Sequence, residues 1–254
     1  MTTYEKLATV IAVMAILQPW IIKMWNQYFK KTSLTFIPSS KIKLYYNRSG
    51  TYVYLGGVIE AKNRAAVIKD ISVKVIRQRD RAELDLDWSS FMAPAFQSVG
   101  GKAITTNEFA RPFKVEAGSL YPVFVEFGST INSEIERLAE IYGILSAEAK
   151  SVVGANVPID KAKQALINSS CYQPFKEELL QGFYWKKDDY CLELTITYND
   201  NASKKYKFNF SIDSDEASKV RENIDKSMQS VIDELYMTPT NFYFPQKEFV
   251  LADE

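Results

Sequence analysis

Histidine does not occur anywhere in the sequence. It is the usual general base near neutral pH and a frequent ligand for zinc, copper and non-haem iron, so Ser-His-Asp and Cys-His hydrolases are excluded within this chain. Cysteine is nearly as scarce, with Cys171 and Cys191 alone. Two are too few for a disulfide framework and form no Cys-x-x-Cys motif, so both are read as reduced thiols without a nucleophilic, redox or zinc role. A charge excess is missing as well. Lys plus Arg and Asp plus Glu number 31 each, which leaves no net field to draw in nucleic acid. The paired glycines Gly56-Gly57 and Gly100-Gly101 belong to neither a Gly-x-Gly-x-x-Gly nor a Gly-x-x-x-x-Gly-Lys pattern. They are read as bulges or turns and not as phosphate loops. No cofactor is expected.

What is present is a chain able to fold. Its 254 residues are 46% hydrophobic and 24% charged, the balance of a protein with a sizeable core and unlike that of a disordered one. One hydrophobic run stands apart. Leu7, Val10, Ile11, Val13, Met14, Ile16, Leu17, Trp20, Ile21 and Ile22 lie between the charges of Lys6 and Lys23, and the run is apolar all round instead of on one face. It is near the short limit for crossing hydrocarbon, and snorkelling of Lys6 and Lys23 extends its reach. Trp20, Trp25, Tyr28 and Phe29 gather at one end, as rings do at headgroup level. Residues 1–31 are therefore expected to be a transmembrane anchor with its juxtamembrane segment. A signal peptide, a buried core helix and a helix lying flat on the membrane are the competing readings. Lys23, Lys30 and Lys31 follow the run and only Lys6 precedes it, so the positive-inside rule places the rest of the chain in the cytoplasm.

Beyond Thr32 the pattern turns to strands. Residues 42–47 and 51–60 flank the turn Asn47-Arg48-Ser49-Gly50, and apolar residues then alternate at Ile71, Val73 and Val75 and at Leu84, Leu86 and Trp88. A turn-rich stretch around Ser98, Gly100 and Gly101 interrupts them. Phe113 and Val115 lead on to Val123, Val125 and Phe127. From Asn132 the period becomes helical, with Ser133 and Glu136 as a capping box; Pro158 and Pro174 open two further helices, the second closed by Gly182. Tyr190 to Tyr198 and Tyr206 to Ile212 form a long hairpin about Asn199-Asp200-Asn201. Asp213 and Ser214 cap a helix striped by Ala217, Val220, Ile224, Met228, Val231 and Leu235.

The fold class expected is mainly β (α+β). An immunoglobulin-like β-sandwich spans residues 32–237, with a helical insertion at about 132–182, a C-terminal helix behind it and an aromatic arm over 238–254. A split into two domains near residue 130 is the alternative.

Candidate chemistry is sparse. Asp85 and Asp87 share a strand face, but alternation with Leu84, Leu86 and Trp88 explains them as its wet side. Asn199, Asp200 and Asn201 are better turn formers than calcium ligands. Asn47-Arg48-Ser49 is a glycosylation sequon that matters only in a secretory lumen. Tyr52, Tyr54, Arg77, Arg79 and Arg81 are a weak candidate surface for a ligand or partner, mixing rings and cations as ribose-phosphate ligands prefer. The leading expectation is a membrane-anchored, non-enzymatic binding or scaffold protein that recruits a protein partner or self-associates. A nucleotide-like sensor coupled to the anchor and a histidine-free carboxylate enzyme are the alternatives.

Overall fold

The computed structural model describes residues 2–28, 30–99, 102–129, 132–153 and 157–251. It opens with one long helix, α1 (Thr3–Tyr28), which carries Pro19 inside it. Strands follow: β1 (Ser33–Asn47), β2 (Gly50–Lys62), β3 (Ala66–Arg77), β4 (Glu83–Val99), β5 (Lys102–Phe109), β6 (Phe113–Val115) and β7 (Leu120–Gly128). Three helices, α2 (Asn132–Val152), α3 (Ile159–Ile167) and α4 (Tyr172–Gly182), then precede the hairpin of β8 (Asp188–Tyr198) and β9 (Ala202–Ile212). Helix α5 (Ser214–Leu235) and the short strands β10 (Gln246–Glu248) and β11 (Val250–Leu251) end the chain.

All the strands belong to one sheet, ordered β10-β1-β2-β7-β4-β3-β8-β9-β11, with β5 on β4 and β6 on β3. The mixed α/β composition agrees with the sequence. The sandwich does not: the sheet is barrel-like, and its two outer strands β1 and β9 meet on the same piece of chain. Lys41, Ile42 and Lys43 of β1 pair with β10, while Phe208 and Asn209 of β9 pair with β11. Phe249, between β10 and β11, is buried and its ring lies 4.8 Å from that of Phe208. Further along the seam the Tyr206 hydroxyl reaches across, donating to Leu34 O and accepting from Phe36 N at 2.8 Å. The arm expected over 238–254 is thus the stave that closes the barrel.

Period-two burial follows from closure. Leu44 on β1, Val53, Leu55 and Ile59 on β2, Val73 and Val75 on β3, Val123, Val125 and Phe127 on β7 and Leu192, Leu194 and Ile196 on β8 all point inward and are at most 3% exposed. They fill the interior and leave a void of about 10 Å³, no more than one water molecule needs. Gly56 and Gly57 are neither a turn nor a bulge of β2 but lie within its ladder. A Cβ on Gly57 would stand 2.5 Å from the Phe36 ring. The irregularity is on β1, where the register shifts between Pro38 and Ile42 and Ser40 takes φ 65°.

The turn-rich interruption expected near Ser98 is a hairpin. β4 continues to Val99 and pairs with β5, from Ser90↔Phe109 to Val99↔Lys102; Gly100 and Gly101 lie outside the described residues. Helix α2 begins at Asn132, which sets Ser133 inside the helix and not at its cap. The cap expected at Asp213 is there, as a full box: Asp213 Oδ1 accepts from Glu216 N at 2.9 Å, and Asp213 N donates to Glu216 Oε2 at 3.1 Å. Both cysteines are free, as read.

The chain gives the barrel two different ends. Strands β1, β3, β7 and β9 start at the end where α1 enters, and β2, β4 and β8 run back toward it, because each pairing is antiparallel. The helices cover the other end. There Asn223 of α5, fully buried, donates to Tyr46 O at 3.2 Å and Tyr243 O at 2.7 Å and accepts from Tyr243 N at 2.9 Å. Trp185, also fully buried, donates from its ring nitrogen to Tyr45 O at 3.1 Å. Asp233, only 5% exposed, is held by Lys163 Nζ at 2.6 Å and by Thr240 Oγ1 at 2.8 Å. A buried carboxylate is tolerable only with such partners.

Candidate functional site

Helix α1 is long and apolar enough to cross a membrane over Lys6–Trp25, with a mean hydropathy of 1.8, and none of that span is buried against the protein. A signal sequence passes the same test. Ile16 and Trp20 are each 70% exposed, and Leu7, Val10, Ile11, Val13, Met14, Leu17, Ile21 and Ile22 are exposed with them. Twenty residues of helix rise about 30 Å, the thickness of the hydrocarbon layer. The five steps from Tyr28 to Ser33 reach at most about 18 Å, so whatever holds α1 holds the barrel close by.

The connection is fastened at its barrel end. Asn63, in the β2–β3 turn, donates its amide to Lys31 O at 3.1 Å. Asn199, in the β8–β9 turn, donates to Thr32 Oγ1 at 3.1 Å and accepts from Val67 N at 2.9 Å. Both asparagines have positive φ, 68° and 47°, a conformation that Asn adopts more readily than most residues. Their backbone geometry serves the turn and their side chains hold the link. In the sequence Asn199 reads only as a turn former, and Asn63 carries no signal beyond Lys62-Asn63-Arg64 between two strands.

The same rim is basic. Lys30, Lys31, Lys62, Arg64, Lys204 and Lys205 are exposed there. Among nearby acids, Glu60 pairs with Lys62 at 3.3 Å and Glu116 with Lys114 at 2.8 Å. Cations so placed favour a surface of anionic lipid.

The five residues marked in the sequence as a ligand or partner surface lie in two separate places. Tyr52 and Tyr54 are half-buried on the outside of β2, opposite Tyr45 and Lys43 on β1 and Gly128 and Glu126 on β7. A Cβ on Gly128 would stand 2.5 Å from the Tyr52 ring. Burial, and Glu126 after it, raises the Tyr52 pKa. Strands β7 and β4 separate them from Arg77 on β3. Arg77 itself is only 7% exposed. Its guanidinium forks onto Asp80 at 2.9 and 2.7 Å, donates to Tyr184 O at 2.7 Å and lies 5.2 Å over the Tyr184 ring. Those bonds, together with the Ala82 N–H, hold the Asp80 carboxyl well below the usual carboxylate range. Tyr184 completes the knot by donating to Val75 O at 2.8 Å. Arg77 is therefore a structural clamp on the β3–β4 turn. Arg79 and Arg81 are exposed in that turn, where Arg79 N donates to Asp188 Oδ1 and Arg81 Nη1 to Gln78 Oε1, both at 3.3 Å.

Asp85 and Asp87 are exposed on the wet face of β4, and Lys74 Nζ lies 3.4 Å from Asp85. The larger concavities lie on the outside of the barrel. One open groove of about 750 Å³ runs along the seam past Tyr190, Phe210, Lys247 and Val250. Another of about 450 Å³ lies at the capped end between Trp185, Lys187 and Arg221. Comparison of the chain with protein-family models, with curated proteins and with solved structures found no match.

Proposed function

We propose that this protein is a membrane-anchored, non-enzymatic binding or scaffold protein, whose barrel is held at the cytoplasmic face of a bilayer and engages a protein partner or a second copy of itself. The observation that carries the reading is the contrast in burial between α1, bare along its whole apolar span, and the filled barrel behind it. An isolated apolar helix in water is unfavourable by roughly 25 cal/mol for each Å² of apolar surface, and lipid removes that cost. The packed interior, unlike the open calyx of a small-ligand carrier, turns recognition to the outer surface. The lack of histidine argues against most acid–base chemistry at neutral pH. Lys23, Lys30 and Lys31 on the barrel side of the span support the cytoplasmic placement.

The test is cross-linking of full-length protein in native membranes, followed by detergent extraction and affinity recovery. A discrete adduct with a partner or with a second copy is the expected result. Recovery of monomer alone, from membranes in which the chain is at its natural abundance, overturns the binding role.

A further inference from the structure

The β4–β5 hairpin leaves the barrel wall. β4 pairs with β7 only as far as Phe91↔Val125, and with β3 only over Glu83–Asp87. From Met92 to Val99 its one partner among the described residues is β5, with an irregularity between Ala93 and Gln97. Those eight residues extend about 26 Å at 3.3 Å each. By the count of the ladder Phe96 is level with Leu120, the first residue of β7, so the remainder of the arm passes beyond the rim. β4 runs toward the end where α1 enters, so the arm projects on that side.

A two-stranded ribbon on its own is marginal in water, and the sequence of this one is ill suited to water. Lys102 is the sole charged residue between Asp87 and Glu108, within a stretch that includes Phe91, Met92, Pro94, Phe96, Val99 and Ile104. Apolar surface continues at its root. Phe109 is 92% exposed and Leu120 64%, and an open groove of about 400 Å³ there is lined by Phe91, Phe113, Tyr121 and Phe124 together with the ion pair of Glu108 and Arg111. Exposed apolar surface in one patch marks a contact with lipid or another molecule. The tether favours lipid: the link from α1 spans at most about 18 Å and is fastened to the rim by Asn63 and Asn199.

We infer that the β4–β5 hairpin is a second membrane contact, reaching the bilayer that α1 crosses, so that the barrel is held at two points and cannot swing freely about the link. The inference rests on the anchor reading. The rim lysines then meet lipid phosphates.

The test uses the full chain in vesicles of phosphatidylcholine and phosphatidylglycerol. With Cys171→Ser and Cys191→Ala, a nitroxide is attached at Gln97→Cys or, as control at the opposite end, at Arg79→Cys. The expected result is that the label at 97 collides more with oxygen than with a water-soluble nickel chelate, and that the order reverses at 79. Equal water-like exposure of both labels overturns the inference, as does dipolar broadening at 97, which would assign the arm to a second copy. A cysteine-independent variant, Phe96→benzoylphenylalanine in the otherwise natural chain, is expected to transfer to lipid on irradiation, and transfer to protein alone contradicts the contact. Flotation of the same samples separates the two readings. Protein that floats with vesicles while residue 97 stays wet loses only the second contact, and protein that does not float loses the anchor too.

Discussion

The barrel's capped end and the rim where α1 enters are built from the same strands but finished by different physics. At the capped end several polar groups are buried with partners inside the chain: Asn223 with three backbone bonds, Asp233 with Lys163 and Thr240, Arg77 with Asp80 and Tyr184. At the rim the contacts lie nearer the solvent, such as the exposed bond from Asn63 to Lys31, and Phe109 and Leu120 stand in the open. The lesson is that the strands' two ends differ in how deeply their polar contacts are buried. A buried polar group without a partner costs more than a lost surface bond, so substitutions should affect the two ends very unequally.

The largest effect is expected from Trp185→Ala. It empties a fully buried indole site and frees Tyr45 O, a loss of about 3–5 kcal/mol that denaturant unfolding of the detergent-solubilised protein would read. Asn223→Ala should follow, at about 2–3 kcal/mol, because Tyr46 O and both backbone groups of Tyr243 lose a buried partner. A result near zero would mean that water replaces the amide and that the cap is looser than its geometry.

Alkaline titration probes the same end. Burial, chiefly, raises the Tyr142 and Tyr190 hydroxyls from about 10 up to about 12. The unfolded chain gives up these protons near pH 10, whereas the folded protein holds them. Their contribution to stability is therefore complete below pH 10 and is lost as the pH rises from 10 through 12. Tyrosinate absorbance should rise late and together with loss of near-ultraviolet circular dichroism. Smooth ionisation near pH 10 without unfolding would contradict the burial.

The smallest effect belongs to the rim. Asn63→Gly keeps the positive φ and removes one exposed hydrogen bond, for a change within about 0.5 kcal/mol. Its influence should show instead as greater angular freedom of the barrel over the membrane. A loss as large as that of Asn223→Ala would erase the contrast between the ends.

Much of this fold is legible in the sequence wherever periodicity is strong. The β8–β9 alternation, the α5 stripe behind the Asp213 cap and the three helices between 132 and 182 follow from local pattern. Closure does not. Alternation tells which face of a strand is buried but not whether a sheet rolls up or stacks on another, and the deciding segment pairs through β10 and β11, three and two residues long. Gly56-Gly57 reads as a break because its reason is a distant ring, Phe36. Arg77 reads as a surface cation because nothing local announces that Tyr184, more than a hundred residues on, lies under it. The β4–β5 arm is hidden for the opposite reason: its stretch from Met92 to Thr106 shows no regular alternation of apolar and polar residues.

The most direct test of the account is an alkaline carbonate wash of membranes containing the full-length protein, with the recovered chain sequenced from its N-terminus. Retention in the pellet with α1 intact is the predicted result. Release into the supernatant, or a chain that begins beyond α1, would contradict the anchored barrel.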